Sequence, residues 1–288
     1  KHPFSFPSPF THFSTMQPIQ QPVQEKKVRT TVETPCEFTT TQEHLARALR
    51  SLSGVAGRNP SLPILSNVLL KREGGELRLS TTDLEVGVSV WLSGKLRGDG
   101  ALTVPLRPFA EYVQNLPVSQ VMFRMTSGTL TVTAERARAV FQGESAENFP
   151  LIPQLEHGIE LILAPAEVRQ ALDQVLYAVA TEDTRPELSG VFLRGEGSAL
   201  TLAATDSYRL GETRVTLRAA LASPVSVILP FRAAHEMRRG LEGDVSEATL
   251  RVGDGRVVLL TPGIQVVSRS IEGTYPDYTQ IIPRQSPT

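Results

Sequence analysis

Apolar positions along this chain switch between two periods, and the whole alternation runs through twice. Leu45, Ala48, Leu49, Leu52 and Val55 make the stripe that a helix buries against a core. Val168, Ala171, Leu172, Val175 and Ala178 repeat it 123 residues downstream. Thr40-Thr41-Gln42-Glu43 fits a capping box, with Thr40 accepting from the amide of Glu43, so the first helix is expected from there to about Val55. Its counterpart is expected to start at Pro165, because the missing N–H of proline is unpaired in a first helical turn anyway. Period-two alternation follows at 68–71, 76–80, 86–92 and 101–104, and again at 191–194, 199–203, 210–217 and 225–229. These segments predict strands, joined by turns such as Glu73-Gly74-Gly75 and Gly195-Glu196-Gly197. A second helix is expected after Pro105-Leu106-Arg107 and after Pro230-Phe231-Arg232, with Phe109, Tyr112, Val113, Leu116 and then Ala234, Met237, Leu241 as the apolar stripes. Hairpins with turns at Ser127-Gly128 and Gly253-Asp254-Gly255 close each unit. The expected class is α+β, in tandem modules that each open with a helix and pack two helices on antiparallel sheets.

Identity supports the same conclusion as pattern. The stretch Pro63-Ile-Leu-Ser-Asn-Val-Leu-Leu-Lys-Arg-Glu-Gly-Gly-Glu-Leu-Arg-Leu-Ser-Thr-Thr-Asp83 aligns without a gap on Pro186-Glu-Leu-Ser-Gly-Val-Phe-Leu-Arg-Gly-Glu-Gly-Ser-Ala-Leu-Thr-Leu-Ala-Ala-Thr-Asp206. Eleven of the 21 positions are identical, far above chance, so the module is duplicated. Glu147-Asn148-Phe149-Pro150-Leu151-Ile152-Pro153 leads from the first copy to the second. Gly273-Thr274-Tyr275-Pro276-Asp277-Tyr278 holds the corresponding place after the second. The expected division is therefore 36–148, 149–274 with the linker, and 275–288 as the start of a third module. Residues 1–35, rich in Pro, Gln, Thr and Ser without a sustained apolar period, are expected to be a disordered tail, with Met16 a candidate natural start.

Composition narrows the chemistry. A formal net charge of −1 announces no bulk nucleic-acid binder, so any positive surface must be local. A single cysteine, Cys36, leaves no disulfide within the chain and no cysteine cluster for a metal, and fits a cytoplasmic compartment. No apolar run is long enough to span a membrane, and no export signal is expected. His2, His12, His44, His157 and His235 are scattered without ligand spacing, and no phosphate-binding glycine pattern occurs, so neither metal nor cofactor is expected. Asp83 and Asp206 recur beside Thr82 and Thr205. An Asp after a strand usually caps a turn, and an active site rarely repeats once per module, so no catalytic residue is assigned. An enzyme using either Asp as general acid or base is the alternative from another class.

Leu62-Pro-Ile-Leu-Ser-Asn67, Thr82-Asp-Leu-Glu85, Ala204-Thr-Asp-Ser-Tyr-Arg-Leu210 and Tyr275-Pro-Asp-Tyr278 together resemble the bacterial replicative sliding clamp, the beta subunit of DNA polymerase III, over about residues 36–288. The resemblance implies DNA-clamp modules, three per subunit, in a head-to-tail homodimer whose helices line a hole for duplex DNA. It implies a non-catalytic processivity factor, with the polymerase III catalytic subunit, the clamp loader and repair proteins as partners. With two modules and the first residues of a third, the chain is expected not to close that ring, leaving a partial or inactive fragment as a further alternative. Sequence-independent contact with phosphates suits Arg47, Arg50, Arg107, Arg169 and Arg232 on helix faces, with Arg238 and Arg239 also available. The resemblance favours the loop after the first helix, which here offers Arg58 and Asn59 in one module and Arg185 in the other. It also implies that Leu188, Thr205, Ser207, Tyr208, Arg209, Leu210, Pro276, Gln280 and Ile281 form one wall of an apolar cleft for a partner's peptide motif.

Overall fold

A strand that the hydrophobic pattern does not single out opens each repeat. In the computed structural model, which describes residues 35–57, 62–181, 184–280 and 282, Cys36–Thr41 and Ile159–Leu163 are strands that lead into the first helix of each module. Each module therefore begins with strand, not helix. The difference also moves the cap. Thr40 is buried and paired opposite Val121, so Thr41 caps instead, its hydroxyl accepting from the amide of His44 at 3.4 Å. Helix α1 is Gln42–Leu52. It stops short of Val55, in a turn where the amides of Ser53 and Val55 donate to the carbonyls of Arg50 and Leu52, yet Val55 stays buried and completes the stripe. Helices α2 (Leu106–Gln114), α3 (Pro165–Val175) and α4 (Phe231–Gly240) follow, with α3 opening at Pro165.

Duplication is visible element by element. Asn67–Glu73 and Glu76–Thr82 return as Gly190–Glu196 and Ala199–Thr205, and the 3-10 turn Pro63–Ser66 as Pro186–Leu188. All strand pairing is antiparallel. A five-stranded sheet of the first module runs Lys95–Arg97, Cys36–Thr41, Gln120–Thr126, Thr129–Ala134, Ala137–Gln142. A four-stranded sheet of the second runs Leu210–Thr216, Ala199–Thr205, Gly190–Glu196, Val225–Pro230. The third sheet has nine strands and belongs to both modules: Glu144–Ser145, Ala101–Pro105, Asn67–Glu73, Glu76–Thr82, Val86–Leu92, then Ile264–Arg269, Arg256–Leu260, Ala248–Gly253, Ile159–Leu163. The junction lies between Val86–Leu92 and Ile264–Arg269, where Val88 faces Val266 and Val90 faces Ile264. Apolar pairs across this seam bury both rows, and a single cluster of buried residues runs through both modules. The tail at 1–34, Met16, Arg58, Asn59, Ile281 and half of the expected third-module start lie outside the described residues. No helix among the described residues is long and apolar enough to cross a membrane.

Candidate nucleic-acid and peptide interfaces

Helices α1 and α4 pack on the two strands that join the modules, α1 over Val86–Leu92 and α4 over Ile264–Arg269. That placement brings them together. Arg239 of α4 donates through Nη2 to the carbonyl of Arg50 on α1 at 2.6 Å, and through Nη1 to both carboxylate oxygens of Glu236 at 3.0 and 3.2 Å. Glu236 is almost fully buried, and a Cβ at Gly54 would overlap the ends of both Glu236 and Arg239, so any side chain there would have to displace this pair. With α2 packed on α1 and α3 on α4, the helices form one layer in the order α2, α1, α4, α3.

Basic side chains on this layer fall into two groups. Arg47 and Arg50 of α1 and Arg107 of α2 are exposed, and none makes an ion pair among the described residues. Arg169 of α3 is half-buried. Arg185, in the segment after α3, is exposed and lies 3.5 Å from the hydroxyl of Ser207. The second group is committed elsewhere. Arg232 is exposed but pairs with Asp83 at 2.8 Å, Arg238 bridges Asp173 and Glu242, and Arg239 holds Glu236. The carboxylate of Asp173, then that of Glu242, favours the charged form of Arg238 and raises its pKa. Arg238 and Arg239, free cations on sequence grounds, are thus structural ties. Glu242 and Glu236, four and three residues away in sequence, are local signals for part of this; the ties to Asp173 on α3 and to the carbonyl of Arg50 on α1 have none.

Asp83 and Asp206 have the turn role that the bland reading gives them. Asp83 Oδ1 accepts from the amides of Glu85 and Val86 at 3.0 and 2.7 Å; Asp206 Oδ1 accepts from Tyr208 and Arg209 at 2.9 and 2.7 Å. The neighbouring threonines repeat as well. Thr82 accepts from the amide of Leu84 and donates to the carbonyl of Val86, while Thr205 accepts from Ser207 and donates to Arg209. Leu84 and Ser207 both take positive φ, 80° and 75°, a conformation these bonds hold in place. The amides of Arg209 and Tyr208, with the Arg209 guanidinium, hold the Asp206 carboxyl down at about 2. An acid tied to two amides in both copies is a fixed scaffold, not a proton shuttle.

The second copy of this turn carries an exposed ledge. Tyr208 is 96% exposed at its tip, and Arg209 lies 5.9 Å over the ring of Tyr177 while its guanidinium holds Asp206. Below the ledge is a small satellite core. Phe192, Ala203 and Ile228 form one row across the four-stranded sheet, and Tyr275 stacks on Phe192 with ring centres 4.9 Å apart and planes at 9°. Burial drives the Tyr275 phenol up to about 12. Leu188 and the half-buried Leu210 belong to this core, and Thr205 is buried in the turn. Ser207, Tyr208, Arg209, Pro276 and Gln280 are exposed, and Asp277 holds Gln280 through its amide at 2.8 Å. So the structure brings the described members of the expected cleft together, without Ile281, but as a polar rim over a filled core. The sequence reading missed Tyr177, which is 55% exposed and occupies the place that Gly54 has in the first copy. An aromatic standing where the sister copy has glycine is a signal available from the repeat alone.

Comparison with known proteins places both repeats. A model of the N-terminal domain of the DNA polymerase III beta subunit matches residues 36–153, and a model of its central domain matches 162–277. The beta sliding clamp of Salmonella typhimurium is 30% identical over 250 residues, covering 86% of this chain and 68% of the relative, and that of Vibrio cholerae is 30% identical over 253 residues, covering 87% and 69%. Among solved structures, a Pseudomonas aeruginosa sliding clamp bound to griselimycin superposes with a TM-score of 0.82 at 30% identity, over 87% of this chain and 69% of that one. The Bacillus subtilis clamp has the same fold, with a TM-score of 0.81 at 22% identity over 88% of this chain and 69% of that one.

Proposed function

This chain belongs to the DNA polymerase III beta subunit family, the bacterial sliding clamps, and on that premise we propose that its helix layer is the face that rides on duplex DNA while the Tyr208 ledge receives partner proteins. It is a processivity factor, not an enzyme: it contributes attachment, and the polymerase contributes the chemistry. Continuity of the helix layer across the module junction carries the reading. Arg239 and the shared sheet hold α1 against α4, so the guanidinium groups of Arg47, Arg50 and Arg107, without an ion pair among the described residues, share one layer. Such a face attracts phosphates without reading bases, which suits sliding, because no base-specific contact has to be broken at each step. Arg232 contributes only by leaving Asp83, and Arg185 adds an exposed charge in the segment after α3; Arg58 and Asn59, of the same expected set, lie outside the described residues. The exposed members of the cleft set, Ser207, Tyr208, Arg209, Pro276 and Gln280, with the half-buried Leu210 beneath them, offer an aromatic anchor with a polar rim to a peptide of a polymerase or clamp-loader subunit. Homodimerisation belongs to the same reading.

Salt dependence tests the DNA face. For the 288-residue chain, plotting log affinity for a duplex against log salt should give a negative slope, and Arg47→Ala and Arg50→Ala should each make it shallower by about 1, equally for unrelated duplex sequences. Slopes unchanged in both variants would remove the helix layer as the DNA face.

A further inference from the structure

Two arginines hold equivalent places in the two copies, and only one of them is free. Arg107 stands second in α2, after Pro105-Leu106, and Arg232 second in α4, after Pro230-Phe231. Arg107 is exposed and makes no ion pair among the described residues. Arg232 crosses the module junction, its Nη1 lying 2.8 Å from Oδ2 of Asp83. The need for it comes from the turn. In the second copy Asp206 Oδ2 accepts from Nε and Nη2 of Arg209 at 3.0 and 2.9 Å, so that turn carries its own counter-ion. In the first copy the residue three after Asp83 is Val86, buried at the seam, which offers none. Asp83 keeps 12% side-chain exposure, and its Oδ1 is taken by the amides of Glu85 and Val86. Its Oδ2 is buried and accepts no aligned hydrogen bond, which leaves Arg232 as the cation paired with it among the described residues.

We propose that Asp83 withholds Arg232 from DNA, so that of these two equivalent arginines only Arg107 grips phosphate. The proposal rests on the reading of the helix layer as the DNA face. Arg232 keeps 55% side-chain exposure, so what hides it is charge pairing and not packing. A carboxylate fixed by two backbone amides is an internal stand-in for a phosphate oxygen, always within reach of the guanidinium. It also has the stronger hold. On duplex DNA Arg232 would gain a solvent-exposed contact that salt screens, whereas leaving Asp83 would strand a mostly buried carboxylate, and the second effect is the larger. Arg107 has no such partner to leave. The layer therefore attracts DNA with one contact fewer than its count of basic residues suggests, and its binding is less salt-dependent to match. For a protein that slides, that is also one contact fewer to exchange at each step.

Duplex affinity measured against salt, on the 288-residue chain, tests this. Asp83→Asn keeps an oxygen for the two amides and removes the charge that holds Arg232. It should steepen the slope of log affinity against log salt by about 1 and raise affinity roughly five- to tenfold at about 0.1 M salt. Adding Arg232→Ala should take that gain away and return the slope to the parent value. Glu85→Gln removes an exposed acid two residues further on and should leave the slope alone, which separates release of Arg232 from mere loss of repulsion. Arg107→Ala, the same position in the free copy, should make the slope shallower by about 1. Slopes unchanged in Arg47→Ala, Arg50→Ala and Arg107→Ala together would refute the DNA face itself. With that face intact, an Asp83→Asn slope equal to the parent's, a gain that survives Arg232→Ala, or the same gain in Glu85→Gln would each overturn the proposal. So would Arg232→Ala alone flattening the slope as much as Arg107→Ala does, a result that does not depend on how well Asp83→Asn folds.

Discussion

Replacing Arg239 by Met tests whether the helix layer is held at the module junction. Three hydrogen bonds go at once: two to Glu236, at 3.0 and 3.2 Å, and one to the carbonyl of Arg50, at 2.6 Å. A net 1.5 to 3 kcal/mol is typical for each charged bond, but the greater effect is on Glu236, which keeps 9% side-chain exposure and loses its main counter-charge. Breaking a buried pair from one side costs about 3–5 kcal/mol. Two features reduce that figure. Arg239 keeps 23% side-chain exposure, so water reaches the site, and the exposed His235 lies 3.8 Å from Glu236. We therefore expect about 3 kcal/mol, read as a lower urea midpoint, and a fall in melting temperature of roughly 6–12 °C. Met keeps the packing of the arginine stem, so the loss should trace to the stranded carboxylate. The double variant Glu236→Gln, Arg239→Met removes that carboxylate and should return to within about 1 kcal/mol of the parent, as neutral replacements of buried pairs often do. A single variant that costs under about 1 kcal/mol, or a double variant as unstable as the single, would refute the latch.

Two further outcomes concern the ledge. Asp206 has a folded pKa of about 2, below the 3.8 of its unfolded form, so its contribution to stability is fully present above pH 4 and is lost as pH falls from 4 toward 2. Urea midpoints of the parent and of Asp206→Asn should therefore differ above pH 4 and converge by pH 2; a gap that does not change with pH would show that the amide bonds to Asp206 do not matter in solution. Tyr208→Ala should weaken binding of a fluorescent peptide from a replicative polymerase tail tenfold or more without moving the melting temperature, because the ring is 96% exposed and supports nothing in its own chain. Equal affinity by anisotropy would place the peptide elsewhere.

Helices could be read from the sequence because their evidence is local. Every residue of the stripes Leu45 to Val55 and Val168 to Ala178 is buried, and α3 starts at the proline that marks it. Most strands were legible for the same reason. Cys36–Thr41 and Ile159–Leu163 were not: they are short, and their pairing partners, Gln120–Thr126 and Ala248–Gly253, begin 79 and 85 residues further on, past several intervening elements. The cap slipped by one residue for a related reason. Thr40 and Thr41 are chemically equal, and only the distant partner Val121, by holding Thr40 in the sheet, leaves the task to Thr41. Ion pairing was the least legible layer of all. Arg232 with Asp83 and Arg238 with Asp173 join residues that no periodicity relates, so a list of candidate phosphate contacts from sequence mixes free cations with structural ones.

An internal duplication offers a control that a single domain lacks, since whatever both copies keep serves the fold and whatever only one has must be explained by its surroundings. Thr82 and Asp83 bond the same backbone groups as Thr205 and Asp206, and Leu84 and Ser207 share one strained conformation, so the turn itself is scaffold. The residues at and beside its tip differ. Val86 of the first copy is buried under the seam with Ile264–Arg269, whereas its counterpart Arg209 is exposed and Leu210–Thr216 has no second neighbour among the described residues. Gly54 is confined by Arg239 and Glu236, whereas its counterpart Tyr177 is free to support Arg209. Among the described residues, a seam that is paired in one copy and unpaired in the other goes with both substitutions. It makes one turn a buried part of a junction and its twin a surface on which another protein can rest.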